Sequence, residues 1–170
     1  TNLITGISDA MVDSTPLVII TGQVAVASLG TEAFQETDVL GITQPITKWA
    51  YQIRSAEEIP WAVARAFYLA STGRPGPVVL DFTKDAQIGS VVWEYKSIRY
   101  IRSYNPDPEP LSQSILDAAA LLNHAERPLV FAGHGVLISG AERELLNLVE
   151  KCDIPVATTL LGLSSVPSDH

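Results

Sequence analysis

The chain has 170 residues, 46% of them hydrophobic and 18% charged, with a formal net charge of −8. This excludes a disordered chain, and the acidity argues against a nucleic-acid partner, which would need a basic face to neutralise phosphates. A small phosphorylated ligand stays open, because backbone amides at helix N-termini hold phosphate without net positive charge.

One cysteine, Cys152, rules out an internal disulfide. Its neighbours Leu148, Val149 and Ile154 predict a packed, inert thiol. No apolar run approaches the roughly 20 residues of a membrane helix, so no membrane association is expected. Helical spacing already runs at Leu3, Ile4, Ile7, Ala10 and Met11, and no closing element precedes His170. The sequence is therefore expected to be an internal piece of a larger protein.

In chain order, residues 2–13 read as a helix with an apolar stripe. Leu17 to Thr21 is an apolar, β-branched run, as in a buried strand of a parallel sheet. A long connection, 22–35, follows with weak periodicity, and Asp38 to Ile42 predicts one or two helical turns. Lys48 to Ile53 is a second strand. Ser55-Ala56-Glu57-Glu58 has the spacing of a capping box, opening a helix whose buried stripe is Ile59, Val63, Ala66, Phe67 and Ala70. Gly73 stops that helix, and Pro77 to Phe82 is a third strand.

Residues 84–110 change character, with scattered aromatics and alternating prolines from Asn105 to Pro110. Such a run favours an extended spacer, so a domain boundary is expected there. Beyond it, a helix at 112–123, a strand at 128–132, a turn at Gly133-His134-Gly135, a helix at 139–151 and a strand at 155–159 make a β-α-β unit. The fold class is α/β, with 1–85 as one parallel-sheet domain, 86–110 as linker and 111–170 as the start of a second, Rossmann-like α/β domain.

Three segments could carry chemistry. The connection from Gly22 to Asp38 leaves the carboxyl end of a buried strand, where open α/β sheets place ligands. In it, Gln35 can orient a ligand without transferring a proton, and Phe34 offers an apolar wall. Glu32, Glu36 and Asp38 are possible acids or bases, or simply solvated charges. Gly73-Arg74-Pro75-Gly76-Pro77 is a helix stop that could also present Arg74 to a phosphate or a flat heterocycle. Gly133-His134-Gly135 after a strand is a partial dinucleotide-type turn, lacking the third glycine because Ile138 stands there. His124 sits at a helix end and needs no catalytic explanation. No metal-ligand constellation is present in the sequence. From residues alone, the chain is a two-domain α/β fragment that binds a nucleotide-like cofactor.

Several stretches together resemble the catalytic subunits of the acetohydroxyacid synthase (acetolactate synthase) family. They are Thr1 to Ala10, Ile20 to Val24, Gly30 to Asp38, Ile46 to Lys48, Gly73 to Val78 and Thr83 to Asp85. The run Ala33-Phe34-Gln35-Glu36-Thr37-Asp38 is the most specific; Gly-Arg-Pro-Gly-Pro is shared widely among thiamine-diphosphate enzymes. The resemblance implies a pyrimidine-binding domain at 1–85 and a central FAD-type domain from 111. It implies decarboxylation of pyruvate and condensation of the two-carbon unit with a second 2-oxo acid, in branched-chain amino-acid synthesis.

Thiamine diphosphate, magnesium and FAD are the implied cofactors. The implied partners are the 2-oxo acid substrates, a homodimer through the pyrimidine-binding domain and a regulatory small subunit. A cytoplasmic bacterial location is implied, or a plastid or mitochondrial one in a eukaryote. Gln35, Phe34, Lys48 and Lys84 match catalytic-site positions. Arg74, Gly133, His134, Gly135, Thr159, Leu160 and Leu161 match FAD-facing positions.

Ala25 stands where many members have proline, and His134 where many have glycine. The family's activating glutamate and its metal motif are implied to lie outside these 170 residues. The chain alone is therefore expected to be inactive and, with half a sheet exposed, to self-associate. The alternatives are a glyoxylate carboligase or pyruvate oxidase type of enzyme, against which Phe34-Gln35-Glu36 speaks, or a non-catalytic nucleotide-binding module.

Overall fold

The computed structural model describes residues 2–95 and 97–170. Thr1, the head of the first family-like stretch, and Lys96 lie outside the described residues. Two compact units result, Thr1–Pro108 and Glu109–His170.

In the first unit the chain runs α1 (Ile4–Val12), β1 (Leu17–Gln23), α2 (Val39–Thr43), β2 (Trp49–Ile53), α3 (Ile59–Ser71), β3 (Pro77–Thr83) and α4 (Lys84–Ile88). The three strands form a parallel sheet in the order β1-β3-β2. The central strand β3 is the most apolar run of the unit, and Val78, Val79 and Leu80 are fully buried. Each such side chain contributes about 2 kcal/mol of transfer free energy. Helix α3 covers one face through Ala62, Ala66, Leu69 and Ala70, packed with Ile53, Val78 and Leu80. Ile7 of α1 packs with Ile19 and Val79 in a second cluster.

Three local expectations differ. The predicted capping box does not form: Ser55 caps no helix amide, and a 3-10 turn, Ala56–Glu58, precedes α3. The Glu58 carboxylate instead accepts from the Tyr51 hydroxyl (3.0 Å) and the Arg54 amide (3.3 Å). The Glu58 amide donates to the Ser55 backbone carbonyl (3.3 Å) in that turn rather than to its hydroxyl. Residues 84–88 form a helical turn, α4, capped by the Thr83 hydroxyl. Further along, Ile101 and Tyr104 pack against the first unit's core rather than running free.

The second unit contains α5 (Ser112–His124), β4 (Val130–Ala132), α6 (His134–Ser139), α7 (Glu142–Cys152) and β5 (Val156–Thr158). Strands β4 and β5 pair in parallel. The predicted tight turn at 133–135 is instead the start of a helix, with Gly133 at its N-cap. The helix expected from Ser139 is broken at Gly140, whose left-handed backbone (φ 66°) ends α6 before α7 begins. Cys152 is exposed at the end of α7, not packed as expected. No described helix is long and apolar enough to cross a membrane.

Candidate functional site

All three strands of the first unit end at one edge, at Gln23, Ile53 and Thr83, and the long connection folds over that edge. It is anchored from α4, just beyond the neighbouring strand β3: the Asp85 carboxylate accepts from the Val26 amide (2.6 Å), and the Lys84 amide donates to the Val24 carbonyl (3.4 Å). Ala25 has φ −63° and ψ 150°, the backbone a proline would fix, so alanine leaves the path unchanged here.

The tip of the loop is unusual in its backbone. Gly30, Glu32 and Gln35 all have positive φ, 77°, 57° and 66°. Non-glycine residues in that region are strained and persist only where their surroundings hold them. The holder is Glu36, whose carboxylate accepts from the Gly30 amide and from the Ala33 amide (3.1 Å). These bonds, the Gly30 amide foremost, hold its pKa below the usual carboxylate range. Asp38 closes the loop by accepting from the Gly41 amide (2.9 Å) as N-cap of α2. A Cβ on residue 41 would lie 2.2 Å from the Asp38 carboxylate, so any side chain there would require that carboxylate to shift.

A titration follows from the Glu36 bonds. Because folding lowers the Glu36 pKa, the loop's support is complete above the ordinary value of 4.5 and is lost as pH falls through the lowered one. The Gly30 and Ala33 amide signals in NMR spectra are expected to move together at acid pH, and Glu36→Gln to abolish that movement. Signals that stay fixed in the wild type through the whole acid range in which the protein remains folded would contradict the assignment.

Between loop and sheet lies an open cleft of about 530 Å³, lined by Gln23, Leu29, Gly30, Glu32, Ala33, Glu36, Thr37, Asp38 and Gln52. Its floor rests on a polar network that the sequence did not reveal. Asp81, fully buried in β3, pairs in register with Thr21 and Gln52 on either side. Register partners in a parallel sheet share a face, and so does Gln23 two residues beyond Thr21. The Asp81 carboxyl accepts from the Thr21 hydroxyl (2.7 Å), the Gln23 carboxamide (3.2 Å) and the Gln52 carboxamide (3.2 Å). The only sequence signal was one acidic residue inside an apolar strand.

The predicted catalytic residues divide. Phe34 and Gln35 project from the loop tip, Phe34 being 89% exposed, and neither lines the cleft within this chain. Lys84 is exposed on the same edge, at the start of α4. Lys48 does not join them. It precedes β2 and so lies at the amino edge, where its ammonium donates to the carbonyls of Leu69 and Thr72 (2.7 Å) and to the Tyr104 hydroxyl (3.2 Å).

That makes Lys48 a clasp on the end of α3. Lys48→Met is expected to cost about 2 kcal/mol of stability, read as a lowered urea midpoint, while activity per folded molecule is kept. Loss of activity at unchanged stability would restore it to the site. Arg74 is likewise at the amino edge. Its guanidinium donates to Ser14 Oγ (2.8 Å) and to the carbonyls of Met11 (3.2 Å) and Val12 (2.9 Å), capping α1 where the helix dipole favours a cation.

In the second unit the structure brings two predicted stretches together. Gly133, His134 and Gly135 follow the end of β4; Thr159, Leu160 and Leu161 follow the end of β5, beside it. The Thr159 amide donates to the Ala132 carbonyl (2.9 Å), and the Thr159 hydroxyl accepts from the Gly162 amide (3.0 Å). The residue the sequence reading missed is Gly162. A Cβ there would stand 2.4 Å from the Ala132 oxygen and 3.0 Å from the Gly133 Cα. By contrast, a Cβ on Gly133 would meet only ordinary contacts and one on Gly135 none. The glycines at 133 and 135 are thus not required by this unit's own packing. Among the described residues no cluster of His, Cys, Asp or Glu could hold a metal ion.

The strand-edge loop and the paired strand ends correspond to two models of one family. Residues 1–42 match the thiamine pyrophosphate enzyme, N-terminal TPP binding domain, and residues 115–170 match the thiamine pyrophosphate enzyme, central domain. The chain belongs to the thiamine pyrophosphate enzymes. Within that family it is similar over its whole length to acetolactate synthase large subunits.

The probable acetolactate synthase large subunit of Methanocaldococcus jannaschii is 47% identical over 173 residues, covering 100% of this chain and 29% of that protein. The large subunit of Buchnera aphidicola subsp. Schizaphis graminum is 44% identical over 174 residues, covering 100% and 30%. That of Corynebacterium glutamicum is 43% identical over 170 residues, covering 100% and 27%. The chain therefore spans less than a third of the length of these thiamine pyrophosphate enzymes.

Proposed function

We propose that this chain is a segment of the catalytic large subunit of an acetolactate synthase, which decarboxylates pyruvate and joins the two-carbon unit to a second 2-oxo acid. The observation that carries this reading is the loop Gly30–Asp38. Two strained non-glycine residues, held by the Glu36 carboxylate, present Phe34 and Gln35 outward at the carboxyl edge of a parallel sheet. Thiamine diphosphate, when bound, supplies the carbanion that makes the new carbon–carbon bond.

The chain's own residues position and shelter. Phe34 forms an apolar wall that excludes water, and the Gln35 carboxamide orients the reacting oxygen by hydrogen bonding. Lys84 places a positive charge on the same edge, favouring an anionic 2-oxo acid. The exposure of Phe34 supports a partner surface closing over it, consistent with a homodimer through this unit. In the second unit, Gly133, His134, Gly135, Thr159, Leu160 and Leu161 fit one face of FAD: the uncrowded glycines at the start of α6 allow close approach and Leu160 offers exposed apolar surface. Arg74 and Lys48 hold the fold. Magnesium ligands are assigned to residues outside this chain, as are the contacts of a regulatory small subunit. A cytoplasmic location accompanies the reading.

The test is product analysis of the full-length protein with pyruvate, thiamine diphosphate, magnesium and FAD. Acetolactate that disappears when thiamine diphosphate is omitted is expected. Oxidation of pyruvate without carbon–carbon bond formation would overturn the reading.

A further inference from the structure

One side chain ties both ends of the loop to the sheet. Gln23, the last residue of β1, uses all of its main hydrogen-bonding capacity. Its carboxamide nitrogen donates to the Thr37 carbonyl (2.7 Å) and to Asp81 (3.2 Å), and its oxygen accepts from the Val24 amide (2.9 Å). Both ends of the loop, at Val24 and at Thr37, are therefore tied to a single planar group. That group is in turn fixed by a carboxyl at the centre of the sheet. Gln52, on the other side of Asp81, is oriented the same way, and its oxygen accepts from the Arg54 guanidinium (3.3 Å).

We propose that Gln23 and Asp81 are positioning residues that set the height of the loop bearing Phe34 and Gln35, with Gln23 tying Thr37 to Asp81. Two features of the chemistry favour a device over ordinary core filling. A carboxyl in the most buried strand of an apolar core is costly unless fully hydrogen-bonded, and here the partners come from both neighbouring strands. And the Gln23 bond to Thr37 serves no strand or helix: it crosses fourteen residues of sequence to a loop carbonyl. A rigid core thus transmits its register to an exposed, strained loop, which is how a site on a loop acquires the precision of one on a strand.

The inference rests on the acetolactate synthase reading only for what the loop faces. Its test therefore has an arm that needs no activity. Amide hydrogen exchange over residues 30–38 is measured in the full-length protein without substrate, for the wild type, Gln23→Met, Asp81→Asn and Thr21→Val.

Gln23→Met keeps the length and removes every polar contact. Asp81→Asn turns one acceptor into a donor facing donors. Thr21→Val removes a bond to Asp81 but leaves the Gln23 bridge. The loop amides are expected to exchange on the order of tenfold faster in the first two variants and at the wild-type rate in Thr21→Val, with the β3 amides unchanged in Gln23→Met. With pyruvate, kcat/KM should fall in the same two variants and in the same order. Wild-type loop exchange in Gln23→Met, or equal loosening by Thr21→Val, overturns the inference. Should Asp81→Asn not fold, Gln23→Met against Thr21→Val decides alone. If no acetolactate forms in any version while exchange behaves as stated, the functional reading fails and the positioning device stands.

Discussion

Gly162→Ala is expected to be among the most damaging single-methyl additions in the chain. The added carbon would meet the Ala132 carbonyl oxygen at 2.4 Å, the Ala132 carbonyl carbon at 3.1 Å and the Gly133 Cα at 3.0 Å. All are backbone atoms, so no side chain can swing aside. The strain must move either β4 or the 3-10 turn Leu160–Gly162. Overpacking of this kind costs about 3 kcal/mol.

The second unit has few fully buried side chains to offset it, chiefly Ala132, Val149 and Ile154. Moving these strand ends apart also separates Gly133 from Thr159, the two stretches assigned to FAD. Purified full-length Gly162→Ala should therefore show a lowered melting temperature and reduced flavin absorbance per polypeptide. Gly135→Ala, where a Cβ meets nothing within the chain, should leave the melting temperature unchanged and reduce flavin alone. Normal flavin content in both would remove this crevice from the cofactor site.

Gln35→Ala is expected to do the opposite: little to stability, much to turnover. The side chain is exposed and makes no hydrogen bond to a described residue, so its loss should leave the folded state nearly as stable as before. On the proposed reading, its carboxamide orients the reacting group, and removing such a donor lowers kcat on the order of a hundredfold. Gln35→Gly separates strain from chemistry. Residue 35 has φ 66°, which glycine adopts freely, so this variant should be about 1 kcal/mol more stable while equally impaired. Steady-state kinetics alongside denaturant unfolding checks both. Full activity in either variant would remove Gln35 from the reaction.

The fold was legible where local chemistry and tertiary context agree. Leu17–Thr21 and Pro77–Phe82 read as buried parallel strands, and both are parallel strands, but only β3 is buried: β1 lies at the sheet edge with Leu17 40% and Ile20 64% exposed. The α3 stripe was legible in part from its helical spacing: Ala66 and Ala70 are buried and Ile59 and Val63 pack against the core, but Phe67 is 58% exposed and Ala62 and Leu69 are buried as well. What misled was local pattern without its partner. Ser55 and Glu58 have capping-box spacing, but Tyr51 and the Arg54 amide claim the carboxylate. Helix α6 was hidden because two glycines near its start resemble a turn.

At the site, family resemblance located the loop but not its mechanics. Left-handed backbone at Glu32 and Gln35 leaves no mark in residue type. Asp81, Gln23 and Gln52 are scattered through the sequence and meet only when strand register is known. Lys48 and Arg74 show the converse. Each precedes a strand, so parallel topology alone puts both at the edge away from the loop, and their hydrogen bonds hold α3 and α1.

The central claim is that the loop Gly30–Asp38 forms one wall of a thiamine diphosphate site. The most direct measurement is a structure of the full-length protein with thiamine diphosphate bound. The account predicts the Phe34 ring in contact with the cofactor and the Gln35 carboxamide within hydrogen-bonding reach, about 3 Å, of a reacting group placed on it. It also predicts Glu36 still holding the Gly30 and Ala33 amides. A cofactor seated elsewhere, with this loop facing solvent, would contradict it.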